Sequence, residues 1–107
     1  MIEIHGYVLE ANSRSLRVIA LNVKGEDFLK QSGFTQQNES SFSRDVRDQD
    51  ELLDLFRQFQ TFNMAFSAGR GWWPSELFEV YRDQGSLCGD YVRVAWKGPG
   101  DPILTVC

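Results

Sequence analysis

Two hydrophobic periods run through this chain, and any fold it adopts must satisfy both. Behind Asp48, the residues Leu52, Leu55, Phe56 and Phe59 recur at helical spacing, the pattern of a helix that buries one stripe. The segments 2–10, 16–23, 42–46 and 91–97 instead alternate apolar and polar residues, as half-buried strands do. In residues 16–23, Leu16, Val18 and Ala20 face one way and Ile19, Leu21 and Val23 the other. Apolar residues on both sides predict a central strand covered on two faces. The short connection at 11–14 makes the first two strands an antiparallel hairpin. At 107 residues the chain is expected to form one domain, spanning 1–107. The expected fold is α+β: a largely antiparallel sheet of about five strands with two or three helices packed on one face.

Element ends can be read from cap chemistry. Asp48 with Glu51 three residues on is a capping-box start. Residues 26–32 read as a short helix closed by Gly33 in a left-handed conformation, with Phe34 packing back on Leu29 as in a Schellman motif. Residues 35–40 are polar and read as a surface turn. Pro74 suits a first helical position, Leu77, Phe78 and Tyr81 give that helix an apolar face, and Gly85 ends it. Residues 61–66 satisfy both periods. Phe62 and Phe66 continue the stripe from Phe59, whereas Phe62, Met64 and Phe66 alternate as a strand would. The helical assignment is adopted, so that Gly69 caps the helix. In residues 91–97, Val92, Val94 and Trp96 are expected to face inward. Residues 103–107 are expected to pair back as an edge strand.

Eleven Lys and Arg against fifteen Asp and Glu give a formal charge of −4. Non-specific nucleic-acid binding depends on cations neutralising phosphates, so no nucleic-acid partner is expected. An acidic surface instead suits a basic protein, where charge steers encounter. No secretory signal pattern stands at the start, and no apolar run is long enough to span a bilayer. A cytoplasmic location without membrane association is therefore expected, with Cys88 and Cys107 as free thiols.

Catalytic and metal chemistry finds little footing. The single histidine, His5, is expected in mid-strand beside Glu3 and Tyr7, either as a base assisted by Glu3 or as a polar residue on a solvated sheet face. Ser67 does not sit in a nucleophile elbow. Cys88 falls just after the third helix, where the dipole would not activate it. Asp45, Asp48, Asp50, Glu51 and Asp54 spread along a strand end and a helix start, without the period of a calcium loop. No metal, no cofactor and no catalytic set is expected, which points away from an enzyme.

The densest functional chemistry lies between residues 67 and 78. Gly69 and Gly71 flank Arg70, Trp72 and Trp73 follow, and Pro74 opens a helix. Arg70, Trp72 and Trp73, joined by Arg93 from the strand at 91–97, are candidate partner-binding residues, because Trp and Arg dominate protein hot spots. Gly69, Arg70 and Gly71 can alternatively cradle an anion or phosphate before a helix N-terminus. That requires 61–66 to be a strand, and Pro74 lacks one of the donors. The third reading is an aromatic turn on the core edge with Arg70 stacked on a Trp. Arg17 and Arg93 could share a sheet face, or an ion-pair face with Glu3 or Asp45. The expected function is that of a small protein-binding module, an inhibitor or immunity-type protein occluding a basic toxin or nuclease. The alternatives are a ligand-binding or enzymatic domain using the 69–73 loop, and a subunit of a larger assembly paired through the last strand. The expected state is a monomer or weak homo-oligomer.

Overall fold

Among the described residues both periods are realised in one mixed sheet of seven strands with three helices. A computed structural model describes residues 3–12, 14–68, 74–98 and 101–107. The elements run β1 (Gly6–Ala11), β2 (Ser15–Ala20), α1 (Val23–Gln31), β3 (Thr35–Gln36), β4 (Ser41–Asp45), α2 (Gln49–Thr61), β5 (Met64–Ser67), α3 (Pro74–Asp83), β6 (Val92–Gly98) and β7 (Asp101–Val106). The strand order is β3-β4-β2-β1-β5-β6-β7. Pairs β1–β2, β2–β4, β3–β4 and β6–β7 are antiparallel; β1–β5 and β5–β6 are parallel.

The sheet is thus mostly antiparallel but wider than five strands. One extra strand is β3, two residues taken from the stretch read as a surface turn. The other is β5, from the ambiguous segment, where the helical assignment is overturned. Helix α2 stops at Thr61, and Phe62 forms its C-cap. Asn63 then takes a positive φ of 56°, a conformation that Asn tolerates better than most residues. That reversal aims residues 64–67 into the sheet, where Met64 and Phe66 pair beside Gly6 and Val8.

Register decides which side chains meet the helices. Val8, Leu16, Val18, Phe42, Met64 and Phe66 share one face and belong to the main buried cluster with Leu29 of α1, Phe56 and Phe59 of α2 and Phe78 of α3. All three helices therefore cover this face, as the sequence predicts. Rings carry the contact: Phe56 meets Phe66 at 5.0 Å, Phe66 meets Phe78 at 5.1 Å, and Phe28 of α1 stacks on Phe62 at 4.4 Å. Phe42, Phe56, Phe59, Phe66 and Phe78 are fully buried, each burial stabilising by about 1.5–3 kcal/mol relative to exposure.

The expectation of a strand covered on both faces fails for residues 16–23. Strand β2 ends at Ala20; Leu21 and Val23 are 53% and 67% exposed. The reason is Asn22, whose Oδ1 accepts the Gly25 N–H at 2.9 Å and caps α1 earlier than the sequence suggests. At the other end of α1 the Schellman motif forms as expected: Phe34 N–H donates to Leu29 O at 2.9 Å and Gly33 N–H to Lys30 O at 3.2 Å. Asp48 caps α2 through the Glu51 N–H at 2.9 Å, while the Glu51 carboxylate reaches back to Arg47 N–H at 3.2 Å.

Candidate partner-binding surface

The β6–β7 hairpin positions the one candidate contact residue that lies among the described residues, Arg93. Gly69, Arg70, Gly71, Trp72 and Trp73 lie outside the described residues. Arg93 pairs with Phe66 on β5 and Thr105 on β7, so it points to the helix side of the sheet, beyond the part that α3 covers most closely. Arg17 sits on the opposite face, where it pairs with Glu10 at 3.8 Å. The two arginines therefore share no face, and Glu3 and Asp45 are not Arg17's partners. The expected inward set on β6 also needs correction. The residue turned into the helix layer is Tyr91, 2% exposed and packed on Phe66 and Phe78. Val92 and Val94 point to the other face, where Val94 is buried with Ala65 and Ser67 apart from the main cluster. The side chain of Trp96 is outside the described set.

Arg82 of α3 fixes the end of this hairpin. Its Nη1 donates to Cys107 O at 2.9 Å and Gly89 O at 3.2 Å, and its guanidinium lies 5.4 Å from the Tyr91 ring centroid. The Tyr91 hydroxyl is buried without a hydrogen-bond partner among the described residues. Burial first, and then the neighbouring Glu79 carboxylate, push its pKa well above the ordinary tyrosine value.

Strand β7 is an edge of the sheet, and its register fixes what that edge offers. Tyr91 N–H donates to Cys107 O at 3.3 Å, and Cys107 N–H to Tyr91 O at 2.9 Å. In an antiparallel ladder such doubly bonded pairs alternate with unbonded ones. Arg93 with Thr105 and Ala95 with Ile103 are therefore the next bonded pairs. Leu104 and Val106 turn their own N–H and C=O groups away from β6. Pro102 occupies the same outward class, which is where a strand tolerates a residue without an N–H. Ile103 is 46% and Val106 54% exposed.

Helix α3 follows directly on the 69–73 segment. Pro74, Ser75 and Phe78 are buried, which turns Glu76 and Asp83 to the outer side of α3, whereas Glu79 is half-buried, pairs with Arg82 at 3.9 Å and lies beside the Tyr91 hydroxyl.

The other sites named from sequence are accounted for as follows. His5 precedes β1 rather than standing in mid-strand. Its Nδ1 lies 3.1 Å from Asn22 Nδ2, and its ring packs on Phe62 at 4.9 Å. Because Asn22 Oδ1 is taken by the α1 cap, its amide must donate to His5. His5, Lys24, Asp27, Phe28, Gln31 and Phe62 line a groove of about 440 Å³, a feature the sequence did not reveal because its residues come from three separate segments. The acidic run has local tasks: Asp48 caps α2, Glu51 pairs with Arg44 at 3.2 Å, and Asp54 with Arg57 at 2.9 Å. Among the described residues no group of three or more His, Cys, Asp or Glu is arranged to hold a metal ion, and no helix is long and apolar enough to cross a membrane. Cys88 and Cys107 are free thiols.

Comparison with known proteins finds no matching family model, curated protein or solved structure.

Proposed function

We propose that this chain is a protein-binding module of the inhibitor or immunity type, acting by covering a basic partner such as a toxin or nuclease rather than by catalysing a reaction. The single observation that carries this reading is the pair of acids Glu76 and Asp83 on the outer side of α3, the helix that follows in sequence the segment holding Arg70, Trp72 and Trp73. An acidic helix face supplies steering toward a cationic surface, and the Arg/Trp segment that precedes it in sequence has the residue types of hot-spot contacts. Arg93, on the β6–β7 hairpin, is a further candidate contact. The net charge of −4 agrees in sign. Affinity capture from the native source should recover one basic protein in 1:1 ratio, and the complex should weaken as salt rises. Recovery of no stoichiometric partner contradicts the reading.

A second reading is favoured by one observation. Strand β5 is followed in chain order by α3, with residues 69–73 between them; a strand and then a helix N-terminus is the order an anion or phosphate site requires. Phosphate, sulfate or a nucleotide at millimolar concentration should then raise the melting temperature by mass action; an unchanged melting temperature removes this alternative.

A further inference from the structure

We propose that two copies of this chain pair antiparallel along β7, about a two-fold axis through Thr105, to form one continuous sheet of twice the width. The inference is independent of the α3 surface. It rests on the contrast between the two sheet edges. Strand β3 is two residues long, and its Thr35 and Gln36 are polar and exposed; short polar edges resist pairing. Strand β7 has six residues, Asp101–Val106, and past Asp101 it carries no charged side chain. Chains that each carry −4 can therefore meet there at a neutral seam, whereas a charged partner strand would find nothing on β7 to pair with.

The outward backbone groups select the register. With Thr105 opposite its own copy, Leu104 faces Val106 of the second copy, and Val106 faces Leu104. Each of these two pairs exchanges two N–H to C=O bonds, and Pro102 belongs to neither pair. Shifting the centre to Leu104 brings Pro102 opposite Val106, where its missing N–H leaves a Val106 carbonyl unpaired. The two pairs of the Thr105-centred register have no such defect. It sets Thr beside Thr on the helix-side face, a favourable cross-strand pair. On the other face Leu104 and Val106 of each copy join the apolar row begun by Val92 and Val94. Two Arg93 side chains then flank the axis three strand spacings apart, about 14 Å, beyond the screening length of roughly 8 Å at physiological salt. Their repulsion does not oppose the pairing.

Sedimentation equilibrium from roughly 1 µM to 1 mM should show a monomer–dimer equilibrium. Val106→Pro deletes an outward N–H that makes no bond to β6, so it should keep the circular-dichroism spectrum while raising the dimer dissociation constant at least about tenfold. The register is read separately by oxidation. In a Cys88→Ser, Cys107→Ser background, Thr105→Cys should form an intermolecular disulfide, because unbonded antiparallel pairs bring Cα atoms to about 4.5 Å, within disulfide reach. Ile103→Cys should not. A monomer at every concentration, a dimer indifferent to Val106→Pro, or cross-linking at 103 rather than 105 overturns the proposal.

Discussion

At the scale of single residues, two positions carry more than their size suggests. Tyr91 keeps a hydroxyl in the core that closes no short hydrogen bond among the described residues; only the Glu79 carboxylate stands near it, so the group recovers little of its desolvation cost. Tyr91→Phe keeps the ring contacts with Phe66 and Phe78 and the Arg82 guanidinium above it. Chemical denaturation should find this variant unchanged or stabilised by up to about 1 kcal/mol; a loss larger than that would show that the hydroxyl is bonded. The raised pKa fixes the sign of the alkaline response. The folded state holds the phenol protonated, so this contribution is complete below the ordinary tyrosine range and is lost as pH climbs through the raised value. Gly6 is the second position. Strand β1 lies between β2 and β5, and a Cβ at Gly6 would strike the Ile19 carbonyl oxygen and come within 2.7 Å of Met64 Cε. Gly6→Ala should lower unfolding free energy by about 1–3 kcal/mol, read from urea melts.

At the scale of elements, helix ends explain both what the sequence makes legible and what it hides. Asp48 with Glu51, Gly33 with Phe34, and Gly85 after α3 are local signals, and each is realised where the chain announces it. At Gly85 the φ is +82° and Ser86 N–H reaches Tyr81 O at 2.9 Å. Asn22 is an equally local cap that is masked by apolar Leu21 and Val23 on either side, which extend the strand pattern past its true end. Asn22→Ala should cost about 1 kcal/mol and be visible as faster amide exchange in the first turn of α1. For α2, the Glu51 N–H bond to Asp48 holds that carboxyl below its ordinary range, assisted by Arg47. A depressed carboxylate stabilises at neutral pH and loses that effect as pH falls through its folded value. Asp48→Asn should therefore flatten the acid limb of a melting-temperature profile while changing neutral stability little; an unaltered acid limb would contradict the cap. Strand β5 escaped the reading because Phe59, Phe62 and Phe66 fit a helix as well as Phe62, Met64 and Phe66 fit a strand. Only Asn63, a residue suited to positive φ, hints that the chain turns. The parallel pairing of β5 with β1 and β6 joins segments far apart in sequence, and no short-range period encodes it.

At the scale of the whole molecule, the arrangement separates duties. One face of the sheet holds the helices and the phenylalanine core. The blunt polar edge at β3 and the neutral edge at β7 stand at opposite ends, and the outer side of α3 gathers acidic charge. Of the candidate contact residues, Arg93 was legible as a strand residue, but its face was not, because facing depends on register with Phe66 and Thr105. The outward direction of Glu76 and Asp83 emerges only once Pro74, Ser75 and Phe78 are known to be buried. The claim at the centre of this account is that the chain works by charge-steered contact with a basic protein. The most direct measurement is the association rate of the captured partner with the native chain and with Glu76→Gln/Asp83→Asn, at low and high salt. The account predicts a fall of about severalfold to tenfold in association rate on neutralising these two acids at low salt, and convergence of the two chains at high salt. Equal rates for both chains at every salt concentration would contradict it.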